Sequence, residues 1–219
     1  RGRAAAQDDA HGPRRSDAPE DRLSVPGVHL ALDAGLALGN AALLEPYLPS
    51  NSDRGALLIE DERLAGRLLD SARQGLEVCI EAHGDRAARA GLDAWERLCA
   101  GLPEARTQRL RVQGLELVAP RDWPRLASLS VAVGLEPLRA FLEPTSVSDK
   151  LGARRIEEQS AWRGLAGQQK MLHVGSAARE TAWADPRRLF FAARSPAPRG
   201  LGLAGSAARQ AGPRGFPFP

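Results

Sequence analysis

The chain has 219 residues, with 43% hydrophobic and 26% charged side chains, the balance of one soluble globular domain. No stretch approaches the roughly 18–20 consecutive apolar residues that span a bilayer. The formal net charge is only +3, and Asp and Glu are interspersed with Arg nearly everywhere, so the concentrated basic face of a nucleic-acid binder is not expected.

Residues 1–25 are dominated by charges, Pro, Gly and Ala without an apolar period. A segment of that composition buries too little surface to offset its chain entropy, and it is predicted to be disordered. No apolar export segment follows Arg1. Residues 26–194 form the expected domain, and the Pro- and Gly-rich residues 195–219 are read as a second unpacked tail.

Within the domain, short β-like runs alternate with helical patterns. The runs are VHLAL (28–32), EVCIEA (77–82), RLRVQGLEL (109–117), SVAVGL (130–135) and KMLHVG (170–175). Leu64, Leu68 and Leu69 give residues 61–74 a helical face, and Ala88, Leu92, Trp95 and Leu98 do the same for 85–99. Asp122 is a candidate N-cap with Pro124 in the first turn. Residues 156–165 and 186–193 supply two further helical patterns. About five strand–helix units imply parallel strands and right-handed crossovers. They describe either part of a (β/α) barrel, which needs eight such units, or a small open sheet.

Cys79 falls in an apolar run and Cys99 near a helix end. They lack close metal-type spacing and read as two reduced thiols of a cytoplasmic protein. Trp95, Trp123, Trp162 and Trp183 lie at helix starts and faces and are expected to pack. The GLGLAG run (200–205) lacks the strand and helix that frame a phosphate loop. No Ser-His-Asp set is evident.

Four segments, in order, then resemble one family. LDAGLALGNAALLEPY (32–47) is similar to D-G-S-L-G-S-R-T-A-A-L-L-x-P-Y at Asp33, Leu36, Ala41, Ala42, Leu43, Leu44, Pro46 and Tyr47. EAHGDRA and LDAWE resemble H-A-I-G-D-R-A and L-D-A-x-E at Gly84, Asp85, Arg86, Ala87, Leu92, Asp93, Ala94 and Glu96. RLRVQG resembles R-x-R-I-E-H, and HVGSAARE resembles G-S-D-A-P-V-E. The family is amidohydrolase family 3, the group that includes N-substituted formamide deformylases within the metal-dependent amidohydrolase superfamily. The resemblance implies the C-terminal part of a TIM-type barrel. It also implies hydrolysis of non-peptide carbon–nitrogen bonds in small amides, with a divalent metal, zinc by expectation, held at the strand ends.

The chain departs from the family at the positions that would hold the metal. Glu81 replaces the histidine of H-A-I-G-D, and His83 stands at the isoleucine. Gln113 and Gly114 replace the Glu and His of R-x-R-I-E-H, Ala177 replaces the aspartate of G-S-D-A-P, and His29 replaces the lysine of an earlier strand. Glu136 and Arg139 stand at the Gln and His positions around the family's S-x-Q-P strand. The family's early H-x-H pair has no counterpart in the sequence and would lie upstream of Arg1.

Gly114 and Ala177 carry no donor atom. No cofactor is therefore expected in this chain, which reads as a pseudoenzyme, a decayed relative or a truncated gene product. A salvaged site from His29, Asp33, Glu81 and His83 stays open, since His83 shares a face with Glu81 if the strand continues. Asp33 and His83 are the candidate catalytic residues, each with a structural alternative: a turn for Asp33, a hydrogen-bonding role for His83. Asp85 is read as a helix cap, and His173 as a packed or edge histidine. An incomplete parallel sheet leaves edges and faces uncovered, so self-association is expected.

Overall fold

In the computed structural model, residues 27–50, 52–136, 144–152, 154–155 and 172–174 are described. Five strands make one all-parallel sheet: β1 (Gly27–Ala31), β2 (Glu77–Ala82), β3 (Leu110–Gly114), β4 (Ala132–Leu135) and β5 (Leu172–Val174). Their spatial order is the order of the chain. A doubly wound sheet reverses strand order at a switch point, whereas a barrel adds each strand beside the last. The sequential order therefore selects the barrel type. Among the described residues β1 and β5 do not meet, so the barrel is open.

Helices α1 (Asp61–Arg73), α2 (Asp85–Gly101) and α3 (Trp123–Ser128) fall between successive strands. Asp61 and Glu62 place negative charge in the first turn of α1, where the helix dipole favours it. Leu64, Leu68, Ser71 and Ala72 form its buried stripe. Ala88, Leu92, Trp95, Leu98 and Cys99 form that of α2, so Trp95 packs as expected and Trp123 lies against the same core. Asp122 occupies the N-cap position of α3, yet its carboxylate makes no cap bond. It accepts instead from Arg89 Nε at 3.0 Å and from Arg125 at 2.8 Å, and Arg125 also binds Asp93 and Glu96 on α2.

Leu30, Val78, Ile80, Leu110, Val112 and Val133 are buried in the core that these helices cover. The alternate residues belong to the opposite, inner face. There His29 and Arg111 are exposed, and Cys79, Glu81 and Gln113 are half-buried.

Past the carboxyl ends of the strands lies a second core of Leu36, Ala41, Leu43, Tyr47, Leu117, Val147 and Leu151. Its last two members lie on helix α4 (Pro144–Leu151), which the hydrophobic pattern did not suggest. β3 stops at Gly114, short of the run expected to reach residue 117, because Gly114 (φ 90°) and Leu115 (φ 44°) both leave the extended region. The two helical patterns at 156–165 and 186–193, both tails, Arg139, Ala177, Trp162 and Trp183 lie outside the described residues. No helix among the described residues is long and apolar enough to cross a membrane.

Candidate functional site at the strand ends

Asp33 follows β1 and is 3% exposed. Its Oδ1 accepts the backbone N–H of His83 at 2.8 Å, and its Oδ2 accepts those of Ala42 and Gly84, each at 2.9 Å. One carboxylate thus ties three backbone segments together. Burial pushes its carboxyl above the ordinary aspartate range, although the three amides and the neighbouring His83 pull it back down.

Ala42 continues the tie, because its carbonyl accepts the amides of Arg86 and Ala87 in the first turn of α2. Gly84 is glycine for want of space: a Cβ there would stand 2.1 Å from the Ala42 carbonyl oxygen. Gly84, not Asp85, is the N-cap of α2. Asp85 is the first helical residue, and its Oδ1 accepts from Arg86 and from Leu44 of the β1–α1 loop, both at 2.9 Å. Burial raises its carboxyl as well, opposed by those amides and by Arg89 and Arg155.

Beside this scaffold lies a chain of ionisable side chains. β2 ends at Ala82, so His83 is not a strand residue, yet its ring still reaches Glu81. His83 Nε2 lies 3.1 Å from Glu81 Oε1. Its Nδ1 lies 2.7 Å from Glu116 Oε1, at ion-pair distance but outside hydrogen-bond geometry. Glu81 Oε2 faces His29 Nε2 at 3.3 Å, and the Gln113 amide meets both His29 (3.2 Å) and Cys79 Sγ (3.4 Å). Side-chain exposure rises along the chain from 6% at Glu116 and 5% at His83 to 24% at Glu81 and 48% at His29. Burial raises the Cys79 thiol, which keeps it in the protonated, poorly nucleophilic form.

The structure brings His29, Glu81 and His83 together and places Asp33 beside them through the His83 backbone, with the Asp33 carboxylate spent on amides. It adds Glu116, which the sequence reading missed. An unbroken strand over 109–117 would turn Glu116 to the opposite face from Gln113. The left-handed turn at Gly114 and Leu115 re-aims it, and the amides of Leu115 and Leu117 bond to the carbonyls of Ala82 and His83. The only sequence signal was a glycine at the end of an apolar run.

Comparison with known proteins decides the family. The Amidohydrolase family model matches residues 3–175. This chain belongs to the amidohydrolase family.

Relatives include Protein LONG AFTER FAR-RED 3 of Arabidopsis thaliana, 27% identical over 155 residues that cover 70% of this chain and 26% of that protein. YtcJ of Bacillus subtilis (strain 168), which carries an amidohydrolase name, is 31% identical over 145 residues, 66% of this chain and 26% of its own. The chain therefore spans about a quarter of either relative's length.

Two solved structures share the fold, both uncharacterized metal-dependent hydrolases. The one from Pyrococcus furiosus has a TM-score of 0.69 at 23% identity and covers 83% of this chain and 38% of its own. The one from Pyrococcus horikoshii OT3 has a TM-score of 0.66 at 24% identity and covers 80% and 34%.

The family implies a divalent metal, and the described residues do not fit one. Position 114 offers no donor, and it also has no room for one. A Cβ on Gly114 would stand 2.8 Å from the Ala82 carbonyl oxygen and 3.1 Å from His83 Nδ1, at a φ of +90° that disfavours any side chain. Each His83 nitrogen already faces a carboxylate oxygen. No group of three or more His, Cys, Asp or Glu side chains among the described residues is arranged to hold a metal ion.

Proposed function

We propose that this chain is an amidohydrolase-fold protein, of the class that hydrolyses non-peptide carbon–nitrogen bonds, whose described strand ends do not run metal-assisted hydrolysis. The observation that carries this reading is Gly114, closed to any side chain at a position where the family places a histidine. The matched residues support it from the other side. Asp33, Ala42, Gly84 and Asp85 build the scaffold that ties the β1–α1 loop to α2, so the loop framework persists while the donor set does not. A pseudoenzyme fits this pattern. A cytoplasmic setting belongs to the same proposal, supported by the free thiols Cys79 and Cys99.

The test pairs elemental analysis of the purified chain with a screen of small formamides, ureas and cyclic amides. The expected result is no stoichiometric metal and no turnover. One equivalent of zinc together with turnover that disappears in His83→Ala would defeat the proposal.

A second reading, a non-catalytic binding or scaffold protein, rests on the inner face of the sheet. All-parallel sheets are ordinarily covered on both faces, yet His29 and Arg111 are exposed on this one. A second copy of the chain is the proposed cover, because the face carries Glu77 and Glu81 beside Arg111 and His29 and so can pair with itself. Sedimentation velocity should give a concentration-dependent dimer or larger species. A monomer at every concentration, unfolding in one sharp transition, would contradict it.

A further inference from the structure

We propose that the cleft between the β1–α1 loop and the end of α4 binds the carboxylate of a small, largely apolar acid. Arg155 is the cation that recognises it, with the Ser50 hydroxyl as a second donor. The site uses none of the strand-end residues His29, Glu81, His83 or Glu116, so it is independent of whether a metal binds among them.

A helix end builds the cleft. α4 stops at Leu151, and Gly152, at φ 77°, turns the chain in the left-handed conformation that favours glycine. The Leu48 amide donates to the Lys150 carbonyl at 2.8 Å, which fixes the loop against the helix. Between them lies an opening of about 360 Å³, within the size range of small-molecule sites.

Arg155 is 6% exposed and lines this cleft. Its Nε donates to the Leu151 carbonyl at 2.9 Å, Nη1 to that of Glu45 at 3.1 Å and Nη2 to that of Pro46 at 2.6 Å. A guanidinium has five N–H donors, so one hydrogen stays on each terminal nitrogen. All three acceptors are neutral carbonyls, which orient the group without cancelling its charge. Among the described residues no carboxylate lies at ion-pair distance from it. The Glu45 carboxylate, which also lines the cleft, is taken by Arg154. Asp85 feels the Arg155 charge through space, and its Oδ1 is held by the amides of Leu44 and Arg86. A buried cation is ordinarily compensated by an anion, and the cleft is where one can approach Arg155.

Ser50 favours the same kind of occupant. Its Oγ accepts the amides of Ser52 at 3.2 Å and Asp53 at 2.9 Å. Both lone pairs are used, so the hydroxyl is left as a donor for an acceptor in the cleft. Arg154, Arg155 and Glu45 leave the lining one net positive charge, which suits a carboxylate better than a doubly charged phosphate. Pro46, Leu48 and Leu151 supply apolar wall for the rest of the molecule.

The test is a titration of the 15N-labelled full chain with benzoate and with hexanoate, followed through the backbone amides. Saturable shifts are expected at Glu45, Leu48, Ser50, Gly152 and Arg155. Benzamide and hexanamide keep the shape and lose the charge, and they should bind at least about tenfold more weakly. Inorganic phosphate should also bind more weakly than either acid. Leu48→Trp fills the cleft from a half-exposed position, leaves Arg155 in place and should abolish the shifts. Arg155→Gln should abolish them too; it also removes contacts to the loop, so Leu48→Trp decides if that variant does not fold. No saturable shift with either acid, equal binding of acid and amide, tighter binding of phosphate, or unchanged acid binding in Leu48→Trp would each overturn the proposal.

Discussion

The backbone N–H of His83 donates to the Asp33 carboxylate at 2.8 Å across fifty positions of sequence. That bond, with those from Ala42 and Gly84, makes Asp33 the fastener between the loop after β1 and the entry to α2. Asp33→Asn should therefore cost stability rather than chemistry. The asparagine NH2 would turn a donor toward backbone donors and strand at least one of them. A loss of about 1–3 kcal/mol in urea unfolding is expected. Faster amide exchange at Ala42, His83 and Gly84 should accompany it. A neutral effect would mean that these amides find other partners.

Gly114 gives a sharper test, because two independent penalties meet there. Any β-carbon falls 2.8 Å from a carbonyl oxygen, and the backbone is left-handed. Gly114→Ala should destabilise the chain by about 1–3 kcal/mol from the backbone conformation alone, with the contact adding to it. Gly114→His should be at least as unstable and should gain no zinc affinity in calorimetry. An alanine variant as stable as the parent would show that the turn relaxes easily and would reopen the position to a ligand.

The buried aspartates predict an unusual pH dependence. Burial raises the Asp85 carboxyl in the folded chain, so the native state holds its proton more tightly than the unfolded state does. The resulting contribution to stability is fully present below the ordinary aspartate value of 3.8 and is lost as pH rises through the raised folded value. The stability difference, wild type minus Asp85→Asn, should therefore fall as pH is raised across that window and then level off. A difference that grows with pH would mean that the amides of Leu44 and Arg86 outweigh burial.

Much of the fold could be read from period and order. The run EVCIEA coincides with β2, and Leu64 and Leu68 mark the buried side of α1, because one face of each element is packed and the other is not. The barrel-type strand order came only with the pairing, since alternating strands and helices suit an open sheet equally well. At the site, His29, Glu81 and His83 were named from the sequence and do meet. Glu116 was not, because its direction depends on two left-handed residues that periodicity cannot register. Asp33 was legible as a special acid, but its partners are main-chain amides contributed by residues 42, 83 and 84. Helix α4 escaped because its two core residues, Val147 and Leu151, form too short a stripe to stand out.

On the proposed reading, the described strand ends are closed to a metal ion by their own side chains and backbone. The most direct measurement is a calorimetric zinc titration of the full chain at neutral pH, followed by dialysis and elemental analysis. The account predicts no saturable site at the strand ends and no zinc retained in proportion to protein. A single tight site, filled to one ion per chain and abolished by changing Glu81 or His83, would contradict it.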